Sequence, residues 1–196
     1  MNRHPFATLI VALAATCAAA ADAPPLNTRT ALPGYFVVGG LGVANRTVVA
    51  ISHPIDQEMP PNQLVLLAVP SEPKPFGEYN GFSVFLGNST GCDIVLSSVD
   101  GHLPIVRQAK DENGRWRPIE YLVTSRCGNS YVGRLLPAGH YWTFVAPEYT
   151  GSFRTTMRFA LNPEGHPIYS NEFEGAINPG QFDGQVIIGG VTNVTP

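Results

Sequence analysis

After residue 23, the sequence lacks any long stretch free of glycine and proline. The longest such stretches have eleven residues, at 43–53 and 152–162. Both contain many β-branched or aromatic residues, which favour strands. Because glycine and proline interrupt helices, this distribution argues against a helical bundle and predicts an all-β chain.

The sequence also lacks an excess of positive charge. It has 12 Lys and Arg residues against 15 Asp and Glu residues, a net charge of −3. Removal of Arg3 with the leader described below makes the net charge −4. A protein that binds nucleic acid through its phosphates needs a basic surface. The charge balance therefore argues against nucleic acid as the main partner.

Motifs that would indicate a cofactor or a common hydrolase are missing as well. The stretch 39–44, GGLGVA, lacks the third glycine of a dinucleotide loop because Asn45 occupies that position. No G-x-x-x-x-G-K, H-E-x-x-H or G-x-S-x-G sequence occurs. We therefore predict no cofactor, no metal site and no catalytic residue, although a triad built from distant residues would leave no such motif.

Residues 1–21 have the features of a secretory signal peptide. Arg3 gives a short basic region, an apolar stretch follows, and Ala19 and Ala21 supply the A-x-A pattern of a cleavage site. The apolar stretch is too short to span a bilayer, no later stretch approaches that length, and the residues before Cys17 argue against a lipid anchor. We expect a chain cleaved after Ala21 that is secreted or periplasmic.

The remaining chain is organised as about a dozen short strands separated by turns. Residues 153–159 alternate strictly between apolar and polar side chains, as a half-buried strand does. Asp100-Gly101 and Asn113-Gly114 are hairpin signals. These features predict an antiparallel Greek-key β-sandwich, of immunoglobulin-like or jelly-roll type. We expect residues 22–196 to form one domain, with an alternative boundary near 70–76, where prolines cluster.

Two cysteines remain after cleavage, Cys92 and Cys127. An even number of cysteines in an exported chain predicts a disulfide, and this one would stabilise the fold by roughly 4 kcal/mol.

The stretch 136–142, LPAGHYW, resembles a tyrosine corner, in which the hydroxyl of Tyr141 would bond a backbone group upstream after the chain crosses between sheets.

Three N-x-[ST] sequons occur, at Asn45, Asn88 and Asn193. In a eukaryote each would be a candidate surface glycosylation site. The alanine-rich leader and the excess of arginine over lysine favour a bacterial source, in which these asparagines would carry no glycan.

Glu172 and Glu174 form the first candidate site. They are two residues apart, so a strand would place them on one face, where their charges repel. The repulsion would be offset by Arg154 or Arg158 on a neighbouring strand, by a bound calcium ion, or by use of the two carboxyl groups as a catalytic pair. The first explanation is the simplest.

Aromatic residues give further candidates. Trp116 follows a hairpin tip, where it would be either an exposed contact residue or part of the core. Alternation places Tyr169 and Phe173 on the face opposite Glu172, so we expect both rings to point inward. His140 would lie at the edge of the sandwich beside Trp142, whereas the other three histidines after the leader adjoin turns.

These observations predict an exported, non-catalytic binding or structural module. Its candidate binding residues are Trp116, His140, Trp142, Glu172 and Glu174, and its partner would be another exported protein or an extracellular glycan. The alternative is a secreted hydrolase that acts on polysaccharide through Glu172 and Glu174 or through His140. A third hypothesis is an accessory domain of a surface assembly.

Overall fold

The computed structural model describes residues 23–34, 36, 47–49, 52–54, 59–162, 166–183, 187–188 and 191–192. These residues form strands and two short 3-10 turns, Gly128–Ser130 and Pro179–Asp183. The strands are β1 Leu32–Pro33, β2 Thr47–Val49, β3 His53–Pro54, β4 Leu64–Phe76, β5 Tyr79–Asn88, β6 Ile94–Val99, β7 Ile105–Lys110, β8 Trp116–Pro118, β9 Glu120–Tyr121, β10 Tyr131–Leu136, β11 His140–Pro147, β12 Phe153–Leu161, β13 Ile168–Tyr169, β14 Phe173–Ile177, β15 Ile187–Ile188 and β16 Val191–Thr192.

Most of the strands belong to three sheets. Sheet I has the order β3-β11-β5-β4 and is antiparallel. Sheet II has the order β13-β12-β7-β8, also antiparallel, with β14 beside the first half of β12. Sheet III has the order β2-β10-β6, in which β2 and β10 are parallel. The predicted all-β class with antiparallel sheets is confirmed, with a second parallel pair between β1 and β9.

The three sheets share one core. Phe36 lies at its centre, where its ring meets Phe144 of sheet I at 5.2 Å and Phe159 of sheet II at 5.6 Å, both edge to face. Each such side chain contributes about 1.5–3 kcal/mol by leaving water. The members of this cluster are Phe36, Leu66, Ala68, Phe82, Val84, Leu86, Leu96, Leu103, Ile105, Leu136, Trp142, Phe144, Ala146, Phe159 and Leu161. The three sheets therefore bury apolar side chains in one shared cluster, which is consistent with an all-β sandwich.

A fully buried ion pair joins Arg107 of β7 in sheet II to Glu120 of β9. The Nε atom of Arg107 is 3.5 Å from Oε1 of Glu120, and neither side chain is exposed to solvent. Glu120 also accepts hydrogen bonds from the backbone N–H of Arg107, at 2.9 Å, and from the hydroxyl of Tyr149, at 2.9 Å. Burial and the Glu120 carboxylate raise the pKa of Tyr149 well above its ordinary value of 10.0, so the hydroxyl remains a donor.

The guanidinium of Arg107 is enclosed by aromatic rings. Its carbon atom lies 4.4 Å from the ring centre of Tyr149 and 5.0 Å from that of Phe159, and its terminal nitrogen donates to the carbonyl of Pro147 at 2.8 Å. Hydrogen bonds and ring contacts replace the water that this buried charge has lost.

The Asp100-Gly101 turn has the predicted geometry and joins the predicted strands, β6 and β7, but these strands do not pair with each other beyond the turn. Asp100 has φ 49° and Gly101 has φ 86°, the positive values that a type I′ turn requires. Val99 and His102 close the turn with two backbone hydrogen bonds of 2.9 Å. Beyond that bridge the chains diverge, because β6 joins sheet III and β7 joins sheet II.

The chain crosses between sheets at the predicted corner, from β10 in sheet III to β11 in sheet I. Gly139 makes the turn with φ +67°. Tyr141 is buried beside His53 and Phe85. In sheet III, the hydroxyl of Tyr131 donates to the carbonyl of Ser125 at 2.8 Å.

The predicted disulfide is not formed: Cys92 and Cys127 are both free, exposed thiols. The register of β6 and β10 explains this. Leu136 pairs with Ile94 at one end, and Cys92 lies just before Ile94. Cys127 lies before Tyr131, at the opposite end of β10. The strand length keeps the cysteines more than about 15 Å apart, whereas bridged cysteines have Cα atoms within about 7 Å of each other.

β4 crosses the predicted boundary region as one strand. It pairs with β5 on both sides of a bulge between Val69 and Pro73. The prolines at 70, 73 and 75 lie on the last strand of sheet I, where missing N–H groups reduce pairing with other chains.

Asn88 is fully buried, which corrects its prediction as a surface glycosylation candidate. Its side-chain amide donates to the carbonyls of Cys92 and Leu136 at 2.9 and 3.0 Å.

The predicted signal peptide 1–21 and the sequons at Asn45 and Asn193 lie outside the described residues. The part of the chain that the structure describes has no helix with the length and apolar character needed to cross a membrane.

Asp111 stabilises the turn of the predicted β7–β8 hairpin. Its carboxylate accepts hydrogen bonds from the backbone N–H groups of Arg115 and Asn113, both at 2.9 Å. The pKa of Asp111 lies below its ordinary value of 3.8. The main cause is the hydrogen bond from the Arg115 backbone, and the hydrogen bond from Asn113 and the positive charge of Arg115 also lower it.

The lowered pKa of Asp111 predicts a pH-dependent contribution to stability. Since this pKa is lower in the folded chain than in the unfolded chain, the carboxylate stabilises the fold above the unfolded pKa. That contribution is lost as the pH falls through the folded pKa. We expect the unfolding free energy of the native chain to exceed that of Asp111→Asn at pH 6, and the difference to shrink below pH 3.8. A difference unchanged between pH 6 and pH 2 in urea unfolding would contradict this account.

Candidate functional site

The outward side of sheet II carries the most distinctive surface of the molecule. Alternation along β7 places Ile105, Arg107 and Ala109 in the core, so the side chains between them point outward. The same alternation holds in β12, as the sequence predicted. We call this surface the outer face. Its principal side chains are Val106, Gln108, Lys110, Trp116, Pro118, Thr156, Arg158, Ala160, Tyr169, Glu172 and Glu174.

Arg158 lies at the centre of the outer face, between two aromatic rings. Its guanidinium carbon is 4.1 Å from the ring centre of Trp116 and 3.6 Å from that of Tyr169. Its Nε donates to Oε1 of Gln108 at 3.0 Å. Contact with two rings and one hydrogen bond restrict the side chain to one orientation.

Lys110 neutralises Glu172 beside this arginine. Its Nζ lies 3.1 Å from Oε2 of Glu172 and 4.8 Å from the ring centre of Trp116. Both side chains of the ion pair are partly exposed, so the pair contributes little to stability. The sequence had suggested an arginine as the partner of this carboxylate, and the structure assigns that role to lysine.

A pocket of about 460 Å³ opens on the outer face next to Tyr169. Its volume is typical of small-molecule sites, which range over about 300–1,000 Å³. Apolar walls are provided by prolines, Val106 and Ala160, and polar groups by Gln108 and Asn162. The complete lining is Pro104, Val106, Gln108, Pro118, Glu120, Tyr121, Leu122, Ala160, Asn162, Pro167 and Tyr169.

Tyr169 points outward, which corrects the prediction that it faces the core. It is 45% exposed, whereas Phe173 packs inward against Phe82 at 5.4 Å, as predicted. Residues 170–172 leave the strand geometry between β13 and β14. Asn171 there bonds both backbone groups of Ala68, at 2.8 and 3.0 Å. Alternation therefore does not continue through this segment.

The structure brings together some of the predicted binding residues. Trp116, Glu172 and Glu174 all belong to the outer face, where Glu174 accepts a 2.7 Å hydrogen bond from Thr156. Trp116 is half-buried, so its exposure lies between that of an exposed contact residue and that of a core residue, the two predicted alternatives.

The remaining two predicted binding residues lie in sheet I. His140 is half-buried there, with Nδ1 2.8 Å from the carbonyl of Ala138. Trp142 is only 3% exposed and belongs to the core, which removes it from the predicted binding set.

The predicted acidic pair and His140 do not form one cluster in the structure. Glu172 and Glu174 are each engaged by a different partner, Lys110 and Thr156, and His140 lies in another sheet. Among the described residues, no three His, Cys, Asp or Glu side chains gather closely enough to hold a metal ion.

Sequence reasoning missed Lys110, Gln108 and the role of Arg158 as a stacked cation. The alternation of 153–159 placed Arg158 outward, and that signal was correct. The partners of Arg158 come from β7, β8 and β13, so only the strand register reveals them.

A scan against protein-family models, a search of curated proteins and a search of solved structures each found no match for this chain. The functional argument therefore comes from the geometry of the outer face.

Proposed function

We propose that this protein is an exported, non-catalytic module that binds a glycan on the outer face of sheet II. The observation that carries the proposal is the open pocket beside the exposed Tyr169, with side-chain amides and apolar walls in one place. Sugar rings have apolar faces that suit proline and tyrosine surfaces, and their hydroxyls suit amide side chains.

A glycan suits this surface better than an extended peptide does. The inner strands of sheet II, β7 and β12, are hydrogen-bonded to neighbours on both sides. A peptide lying across them would find few free backbone groups to pair with its own N–H and C=O groups. A glycan needs no such partners, because side chains and water satisfy its hydroxyls.

The proposal includes export and a Greek-key connection of the sheets. Export is supported by the basic, apolar and A-x-A features of residues 1–21. The Greek-key arrangement is supported by the crossings between sheets at 100–104 and 137–139.

The test measures binding of the mature chain, residues 22–196, to a panel of neutral and acidic oligosaccharides by calorimetry. We expect Tyr169→Ala to weaken binding by at least about tenfold, because truncation of a central tyrosine commonly costs more than 1.4 kcal/mol. Tyr131→Ala is the matched control, since Tyr131 is 42% exposed but lies in sheet III.

Several results would contradict the proposal. They are failure of the native chain to bind any member of the panel, equal losses in the two tyrosine variants, or release of new reducing ends from the oligosaccharides. The last result would favour the alternative hydrolase.

A further inference from the structure

We infer that the glycan bound by the outer face is acidic, and that Arg158 binds its carboxylate group. This inference rests on the proposed function and adds the chemical class of the ligand. It depends on an observation separate from the pocket, which is the unusual environment of one cation.

Arg158 is a cation without a carboxylate partner among the described residues. The ion pairs there join Arg107 to Glu120, Lys110 to Glu172 and Arg115 to Asp111. Its side chain makes one hydrogen bond to the described residues, from Nε to the neutral amide oxygen of Gln108. Among these residues, no group accepts a hydrogen bond from its two terminal nitrogens.

The surroundings of Arg158 orient those terminal nitrogens in advance. Trp116 and Tyr169 contact the guanidinium at 4.1 and 3.6 Å, and Gln108 fixes its inner edge. A guanidinium held in one plane presents a fork that matches the two oxygens of a carboxylate. Because the side chain is already ordered, little rotamer entropy remains to be lost on binding.

The neighbouring carboxylates are engaged by other partners, including Glu120 of the pocket lining, which pairs with Arg107. Glu172 is held by Lys110 at 3.1 Å, and Glu174 is held by Thr156 at 2.7 Å. Tyr169 and Gln108 also line the pocket, so a ring seated there lies next to the guanidinium. This arrangement suits a sugar that carries its carboxylate on the ring, as a uronic acid does.

The first test changes the ligand and leaves the protein intact. The mature chain is titrated with a defined oligouronate and with the same oligosaccharide after reduction of its carboxyl groups to alcohols. We expect the reduced form to bind about ten- to a hundredfold more weakly, since a charge-assisted pair is worth roughly 1.5–3 kcal/mol. Equal affinity for the two forms would overturn the inference and leave the proposed glycan site standing.

The second test changes the protein. Arg158→Gln should lose about ten- to a hundredfold in affinity for the oligouronate and less than about twofold for the reduced form. Arg154→Gln is the matched control, because Arg154 lies on the same strand, points outward and is exposed. Arg158→Lys keeps the positive charge but cannot bind a carboxylate through two parallel hydrogen bonds. It should therefore bind the oligouronate with intermediate affinity. This variant tests the inference even if Arg158→Gln folds poorly.

Three further outcomes are decisive. Equal losses in Arg154→Gln and Arg158→Gln would overturn the inference, because a general charge effect would then explain the binding. Binding of a polyglutamate peptide as tightly as the oligouronate would overturn the glycan assignment. Absence of binding to every oligosaccharide would overturn the proposed function and this inference together.

Discussion

Arg107→Met is expected to lower the unfolding free energy by about 3–5 kcal/mol, because it leaves the Glu120 carboxylate buried without its cation. Neither side chain of the pair is exposed. Tyr149 and the backbone N–H of Arg107 would still bond that carboxylate, but both are neutral donors. Urea unfolding of the native chain and the variant at pH 7 measures the loss.

Two controls separate burial of a charge from loss of an arginine. Arg154→Met removes an exposed arginine from sheet II and should change stability by less than about 0.5 kcal/mol. The double variant Arg107→Met, Glu120→Leu should regain most of the loss, because replacing both members of a buried pair is far less costly than removing one. Equal effects for Arg107→Met and Arg154→Met would contradict the buried network.

Phe159→Ala is expected to lower the unfolding free energy by about 3–5 kcal/mol, the usual cost of removing a buried phenylalanine. Phe159 is fully buried and contacts the rings of Phe36 and Phe173 at 5.6 and 5.7 Å. Its ring also lies 5.0 Å from the guanidinium carbon of Arg107. The substitution therefore opens a cavity and removes one wall around a buried charge.

A matched change on the same strand tests this explanation. Phe153 is half-buried at the start of β12, so Phe153→Ala should cost clearly less than Phe159→Ala. Chemical unfolding of the two variants under identical conditions makes the comparison. Similar losses would show that Phe159 is not at the centre of the core.

Local sequence patterns predicted local structure well. The alternation of 153–159 gave the correct faces of β12, and Asp100-Gly101 formed the expected turn. These features depend on residues close together in the chain, through side-chain period and backbone dihedral preference.

Long-range pairing was not predictable in the same way. The turn at Asp100 led into two different sheets, and the register of β6 with β10 separated Cys92 from Cys127. Both outcomes depend on which strands meet in the folded sheets, and no property of the two segments alone specifies that.

The candidate site was predicted only in part. Trp116 stood out because it follows a hairpin tip, and Glu172 and Glu174 stood out because two carboxylates two residues apart share one face of a strand. Lys110 and Arg158 became significant only when the register placed them beside Trp116. Tyr169 was assigned to the wrong face because Asn171 interrupts the alternation by bonding the backbone of β4.

The most direct test of the binding face uses the two tryptophans. Trp116 lies on the outer face, and Trp142 lies in the core of sheet I. In an NMR titration of the mature chain with an oligouronate, the indole N–H signal of Trp116 and the amides of β7, β8, β12 and β13 should shift together. The Trp142 signal should stay in place. Shifts confined to sheet III or to residues around His140 would contradict the assignment of the outer face.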